Sequence, residues 1–151
     1  MRHRRLEVDS AMPSLISELA ASFRLQPFWQ GLRDRRFWIC CLGGVCGLFF
    51  DYRPGISPFF FLAAPLLEEV TWRALCQAEL EKILPGRLFL FSRANVFASC
   101  LFALSHVFFA PHVVSLLTFF PSLCIGFLWT RFRSVLLCTL LHIYYNAILL
   151  W

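Results

Sequence analysis

Three short groups of polar residues interrupt long apolar runs in this chain, and each is of a type that moves protons or steadies negative oxygen. Glu68-Glu69-Val70-Thr71-Trp72-Arg73 brings two acids and one base to a segment that is apolar on its N-terminal side. Phe102-Ala103-Leu104-Ser105-His106 and His142-Ile143-Tyr144-Tyr145-Asn146 each lie within an apolar run. A charged side chain at mid-membrane costs roughly 2.5–3.5 kcal/mol on insertion scales, so such residues face a partner or a wet cavity. A carboxylate with imidazoles can activate water. Imidazole and carboxamide donors can hold the oxygen that becomes negative when water attacks a carbonyl.

Helical phase divides the roles. Glu69 and Arg73 are four apart and can pair on one face, while Glu68 points about 100° away and is left free for chemistry. His142 and Asn146 are also four apart and can present two donors to one oxygen. Phe102 and His106 share a face in the same way, so the ring can position the imidazole. Depth permits convergence: at about 1.5 Å per residue, Glu68 lies roughly 21 Å from Lys82, His106 roughly 20 Å from Arg93 and His142 roughly 14 Å from Arg133.

The elements that must position these groups read as membrane helices. Of 151 residues, 59% are apolar and 15% charged, 18 are phenylalanine, and the charges cluster between apolar runs, a bilayer pattern. The sequence predicts an all-α polytopic bundle of about five spans: Phe37 to Phe50, Ile56 to Leu84, Ala94 to Ala110, Val113 to Thr130 and Ser134 to Trp151. The first is short, 14 residues rising about 21 Å against a hydrocarbon core of roughly 30 Å, and borrows length from snorkelling Arg35, Arg36, Tyr52 and Arg53. Pro85-Gly86 stops the second. Pro65 removes a helical hydrogen bond just before Glu68, and Pro121 is placed to kink the fourth span.

Residues 1–36 form a basic, amphipathic interfacial segment ahead of the bundle at 37–151. Leu15, Ile16, Leu19, Ala20 and Phe23 make its apolar face, with Ser14, Glu18 and Ser22 opposite, and Gln26 to Arg36 leads into the first span. Continuous apolar sequence does not follow the basic start, so this is no cleavable signal peptide. Arginine and lysine fall on the N-terminal region, on the Lys82 to Arg93 connection and on Arg131 to Arg133. The intervening turns hold only Arg53, which puts the N-terminus in the cytoplasm and the C-terminus outside.

The net charge of +5 flanks apolar segments, where it meets anionic headgroups, and does not describe a nucleic-acid surface. The seven cysteines form no CxxC pair and read as small apolar packing residues.

Taken in order, EExxxR, FxxxH and HxxxN resemble the three motifs of the CPBP (Abi-type) family of membrane glutamic proteases, which includes CAAX prenyl endopeptidases and bacteriocin-processing enzymes. The resemblance covers roughly Ile56 to the C-terminus. It implies that Glu68 is the general base activating a water with help from His106, that His142 and Asn146 stabilise the oxyanion, and that Glu69, Arg73 and Phe102 support them. It implies no cofactor. The substrate would be a membrane protein or lipidated peptide cut near its C-terminus, or a leader or sorting peptide, in what reads as a prokaryotic plasma membrane.

Two other readings stay open. Glu68, His106 and His142 offer a His2Glu set for zinc, although no HExxH occurs. A non-catalytic scaffold or immunity protein, or a proton-coupled transporter component, would also keep buried acids. Substrate sequence and oligomeric state are not written in the motifs.

Overall fold

The computed structural model describes residues 15–45, 57–109 and 111–150. Its helices are α1 (15–22), α2 (Leu25–Arg33), α3 (Arg35–Gly44), α4 (Pro58–Glu69), α5 (Ala78–Ile83), α6 (Arg93–Phe109), α7 (Phe119–Phe132) and α8 (Val135–Leu150). A π-helical segment, Val70–Gln77, joins α4 to α5, and a 3-10 segment, Val113–Thr118, leads into α7. The described residues are all-α apart from two two-residue strands, β1 (Arg87–Leu88) and β2 (Phe91–Ser92), paired antiparallel.

The core is the seam of α7 and α8, where Ile125, Leu128, Val135, Leu137, Cys138 and Leu141 are buried. Helix α8 also packs against α3 and α4, and α6 against α7. Tyr144 and Tyr145 donate their hydroxyls to the carbonyls of Cys41 and Cys40, at 3.1 and 2.9 Å, and so fasten α8 to α3. All described cysteines are free.

Local chemistry sets the ends of these helices. Ser134 caps α8, its Oγ accepting from the Leu137 amide at 3.3 Å. Arg133, in the left-handed region at φ 52°, ends α7. Asp34 breaks α2 from α3 and caps the latter, accepting from the Arg36 amide at 2.8 Å. That amide is the main reason the Asp34 carboxyl is held below its ordinary value near 3.8; the charges of Arg36 and Arg131 reinforce it against the opposing effect of burial.

Several expectations are corrected. Gln26 to Arg36 is no simple approach: it holds nearly all of α2, with Pro27 tolerated in the first turn, and the start of α3. On α1, Ser22 faces inward and satisfies its hydroxyl on the Leu19 carbonyl at 2.6 Å, whereas Ile16 is exposed. Pro121 is the third residue of α7, just after the 3-10 segment passes into α-helix. Helix α7 runs on through Arg131 and Phe132, which the sequence assigns to a connection, and the Lys82 to Arg93 connection holds the β-hairpin. Residues 46–50 of the Phe37 to Phe50 span and the Asp51 to Gly55 turn lie outside the described residues, as do Ser14 and the basic N-terminus before it, Ala110 and Trp151.

Among the described residues, Ser115–Phe132 is long and apolar enough to cross a membrane, with mean hydropathy 1.3; Arg93–Phe109 and Val135–Ile148 are apolar but shorter.

Candidate active site

The acids stand where α4 widens into the π-helical segment. In an α-helix a residue four positions on overshoots its predecessor by about 40°. The wider π turn reduces that offset, and Glu69, Arg73, Gln77 and Glu81 run as a column of side chains four apart. Arg73 Nε donates to Glu69 Oε2 at 3.1 Å, Arg73 Nη1 to Gln77 Oε1 at 3.1 Å, and Gln77 Nε2 to Glu81 Oε1 at 3.2 Å. π-helical turns recur at functional sites, and this one carries the motif's arginine.

Glu69, Arg73 and Gln77 are fully buried. A buried guanidinium persists only when its charge and its N–H groups are matched. Glu69 supplies the charge, and Nη2 donates to Ser122 Oγ on α7 at 2.7 Å. From there the donors continue in one direction: Ser122 Oγ to Ser99 Oγ at 3.1 Å, Ser99 Oγ to Asn95 Oδ1 at 3.2 Å, and Asn95 Nδ2 to the Leu123 carbonyl at 3.0 Å. Gln77 also donates to the Gly126 carbonyl at 3.0 Å. Gly126 makes these approaches possible, since a Cβ there would run into Asn95 Oδ1 and Gln77 Oε1.

Glu69 has a second duty. Its Oε1 lies 2.7 Å from His142 Nδ1, so one carboxylate grips Arg73 within its own helix and His142 on α8. Glu68 faces the other ring nitrogen, its Oε2 3.8 Å from His142 Nε2, beyond hydrogen-bond range. That oxygen is buried and has no hydrogen-bond partner among the described residues, although the Glu68 side chain as a whole is 34% exposed. Each carboxylate oxygen of Glu69 thus has a hydrogen-bond partner, whereas Glu68 Oε2 has none among the described residues.

Phe102 gathers the remaining rings. Its centroid is 4.3 Å from that of His106, 6.2 Å from that of His142 and 5.7 Å from Trp72, and Arg73 Cζ lies 5.9 Å from it. His106 Nδ1 lies 3.0 Å from the Phe102 carbonyl, which orients the imidazole and leaves Nε2 as its outward nitrogen. Asn146, one turn beyond His142, is half-buried and makes no side-chain hydrogen bond among the described residues. Glu68, Glu69, Arg73, Phe102, His106 and His142 thus form one connected cluster, with Asn146 alongside on α8. No three His, Cys, Asp or Glu side chains among the described residues converge in a metal-holding group.

The profile of the type II CAAX prenyl endopeptidase Rce1-like family matches residues 50–148, about two thirds of the chain and all three motifs. The chain belongs to this Rce1-like family. At family level it is a membrane-embedded CAAX-type protease, a hydrolase of peptide bonds whose substrate is a membrane-associated protein. Comparison with curated proteins and with solved structures gives no match. The Rce1-like match reaches from the end of the first predicted span to the last turn of α8 and includes the whole polar column.

Sequence reading missed the grip of Glu69 on His142, which joins residues 73 positions apart. It also missed Gln77, Ser99, Asn95 and Ser122. Three of these left a signal: Gln77 continues the four-residue spacing of Glu69 and Arg73, and Asn95 and Ser99 repeat it on α6. Ser122 left none.

Proposed function

We propose that this protein is an intramembrane endopeptidase in which Glu68 activates the attacking water. The observation that carries this reading is the buried Oε2 of Glu68, without a hydrogen-bond partner among the described residues, beside an imidazole already held by Glu69. Glu68 takes a proton from water as the oxygen adds to the scissile carbonyl, and the carbonyl π pair moves to its oxygen. His106, stacked on Phe102, holds the water with Glu68. With Glu69 accepting the proton at Nδ1, His142 turns Nε2 to the reacting centre, and in its doubly protonated form it donates to the oxyanion together with Asn146. Collapse of the intermediate breaks the C–N bond, and the proton on Glu68 passes to the departing amine. No metal or other cofactor takes part.

The setting is a bundle of about five spans with its N-terminus in the cytoplasm, in a prokaryotic plasma membrane. Support comes from the large apolar side chains exposed along the described helices, among them Phe59, Leu67, Leu104, Phe108 and Phe120. The substrate is a lipidated or membrane-associated protein cut near its C-terminus, or a leader or sorting peptide. Membrane proteomes of cells carrying the wild-type protein or Glu68→Gln test this reading. The wild type yields at least one protein with a shortened C-terminus or leader that the variant leaves intact, and identical termini in both would overturn it.

A further inference from the structure

Apart from the motif residues, the basic end of the bundle holds a cleft of about 360 Å³ between the start of α3, the β-hairpin and the last turns of α7, within the size range of ligand sites, roughly 300–1,000 Å³. Arg36, Arg87 and Arg131 line it together with Ser92, Thr130 and the apolar Leu90 and Phe127. Asp34 offsets part of this charge, 3.1 Å from Arg36 and 3.5 Å from Arg131. Arg87 has no acidic partner among the described residues. Neighbouring acids are already engaged: Glu81 with Arg133, and Glu79 and Glu18 with Lys82. Net positive charge therefore remains in the cleft, with forked donors suited to phosphate oxygens.

The hairpin adds an independent observation. Its tip is apolar and exposed: Leu88 52%, Phe89 93% and Leu90 72%. Phe89 sits at φ 55°, a left-handed conformation that bulky residues rarely adopt. Behind the tip, Phe91 packs edge-on against Phe127 of α7, centroids 6.0 Å apart, so the hairpin is fastened to the wall of the cleft. Exposed aromatic and aliphatic side chains next to an arginine-lined cleft match the two halves of a phospholipid, acyl chain and anionic head.

We propose that this cleft binds the phosphate headgroup of an anionic phospholipid, with Phe89 and its neighbours inserted among the acyl chains. Neither observation depends on the hydrolytic reading, so a lipid site stands or falls separately from cleavage.

The full-length protein in non-ionic detergent tests this with three probes: dihexanoyl phosphatidylglycerol, dihexanoyl phosphatidylcholine and inorganic phosphate, read by thermal unfolding and by native mass spectrometry. Phosphatidylglycerol raises the Tm and stays bound, and the other two do neither at equal concentration. Arg87→Gln weakens phosphatidylglycerol binding by about tenfold or more, as expected for losing a hydrogen bond to a charged group. Phe89→Ser weakens it too, while Arg33→Gln, outside the cleft, does not. Equal binding of the two lipids, saturation by inorganic phosphate alone, or undiminished binding in a folded Arg87→Gln variant would each overturn the proposal. The lipid comparison on the wild type decides the matter even if a variant fails to fold.

Discussion

Replacing Glu69 by glutamine separates the two duties of that carboxylate. The substitution keeps the shape and removes the charge that neutralises Arg73, whose side chain is 0% exposed. Breaking a buried ion pair from one side costs about 3–5 kcal/mol, because the remaining charge stays buried and uncompensated. Glu69→Gln therefore lowers the stability of the detergent-solubilised protein by that amount in denaturant unfolding, and it also releases His142 Nδ1 from its 2.7 Å contact. Adding Arg73→Met removes the orphaned charge. Gln77 and Ser122 then lose one partner each, at about 1 kcal/mol apiece, so the double variant recovers a large part of the lost stability. Cleavage does not recover, because His142 still lacks its carboxylate. The reasoning is refuted if Glu69→Gln costs less than about 1 kcal/mol, or if the double variant regains activity along with stability.

Other consequences are more local. Gly126→Ala drives a methyl into Asn95 and Gln77 and should cost about 1–3 kcal/mol, measurable by thermal unfolding. Asp34 contributes stability in full above its ordinary value near 3.8, because its folded-state value is depressed, and this contribution is lost as pH falls through the folded-state value. Asp34→Asn should lower stability most at neutral pH and flatten the profile below about pH 4, where the wild type has already lost this contribution. Chelation with EDTA should leave cleavage unchanged, and activity lost on chelation and restored by zinc would favour the His2Glu alternative.

Much of the site was legible because its motifs are local. Spacing of four within one helix showed that Glu69 pairs with Arg73, that Glu68 is left over, and that Phe102 lies under His106. The contacts that join helices were not legible, since Glu69 to His142 and Arg73 to Ser122 depend on how α4, α7 and α8 pack. The π-helical segment was invisible for a related reason: Val70–Gln77 has ordinary helix-forming residues, and its wide turn follows the column of buried partners. At the level of fold, the apolar runs gave α6 and α8 to within a residue or so. Helix α2 was hidden by its mixture of Pro27, Gln30, Gly31 and Arg33. The hairpin was missed because Lys82 to Arg93 was read only for its positive charge, and two-residue strands are too short to show a period-two pattern.

Cleavage of a farnesylated CAAX peptide by the purified protein in nanodiscs, wild type against Glu68→Gln, tests the central assignment most directly. The variant should unfold like the wild type and cleave at least about 100-fold more slowly, the lower end of what a general base contributes. A folded Glu68→Gln protein that cleaves at the wild-type rate would contradict it.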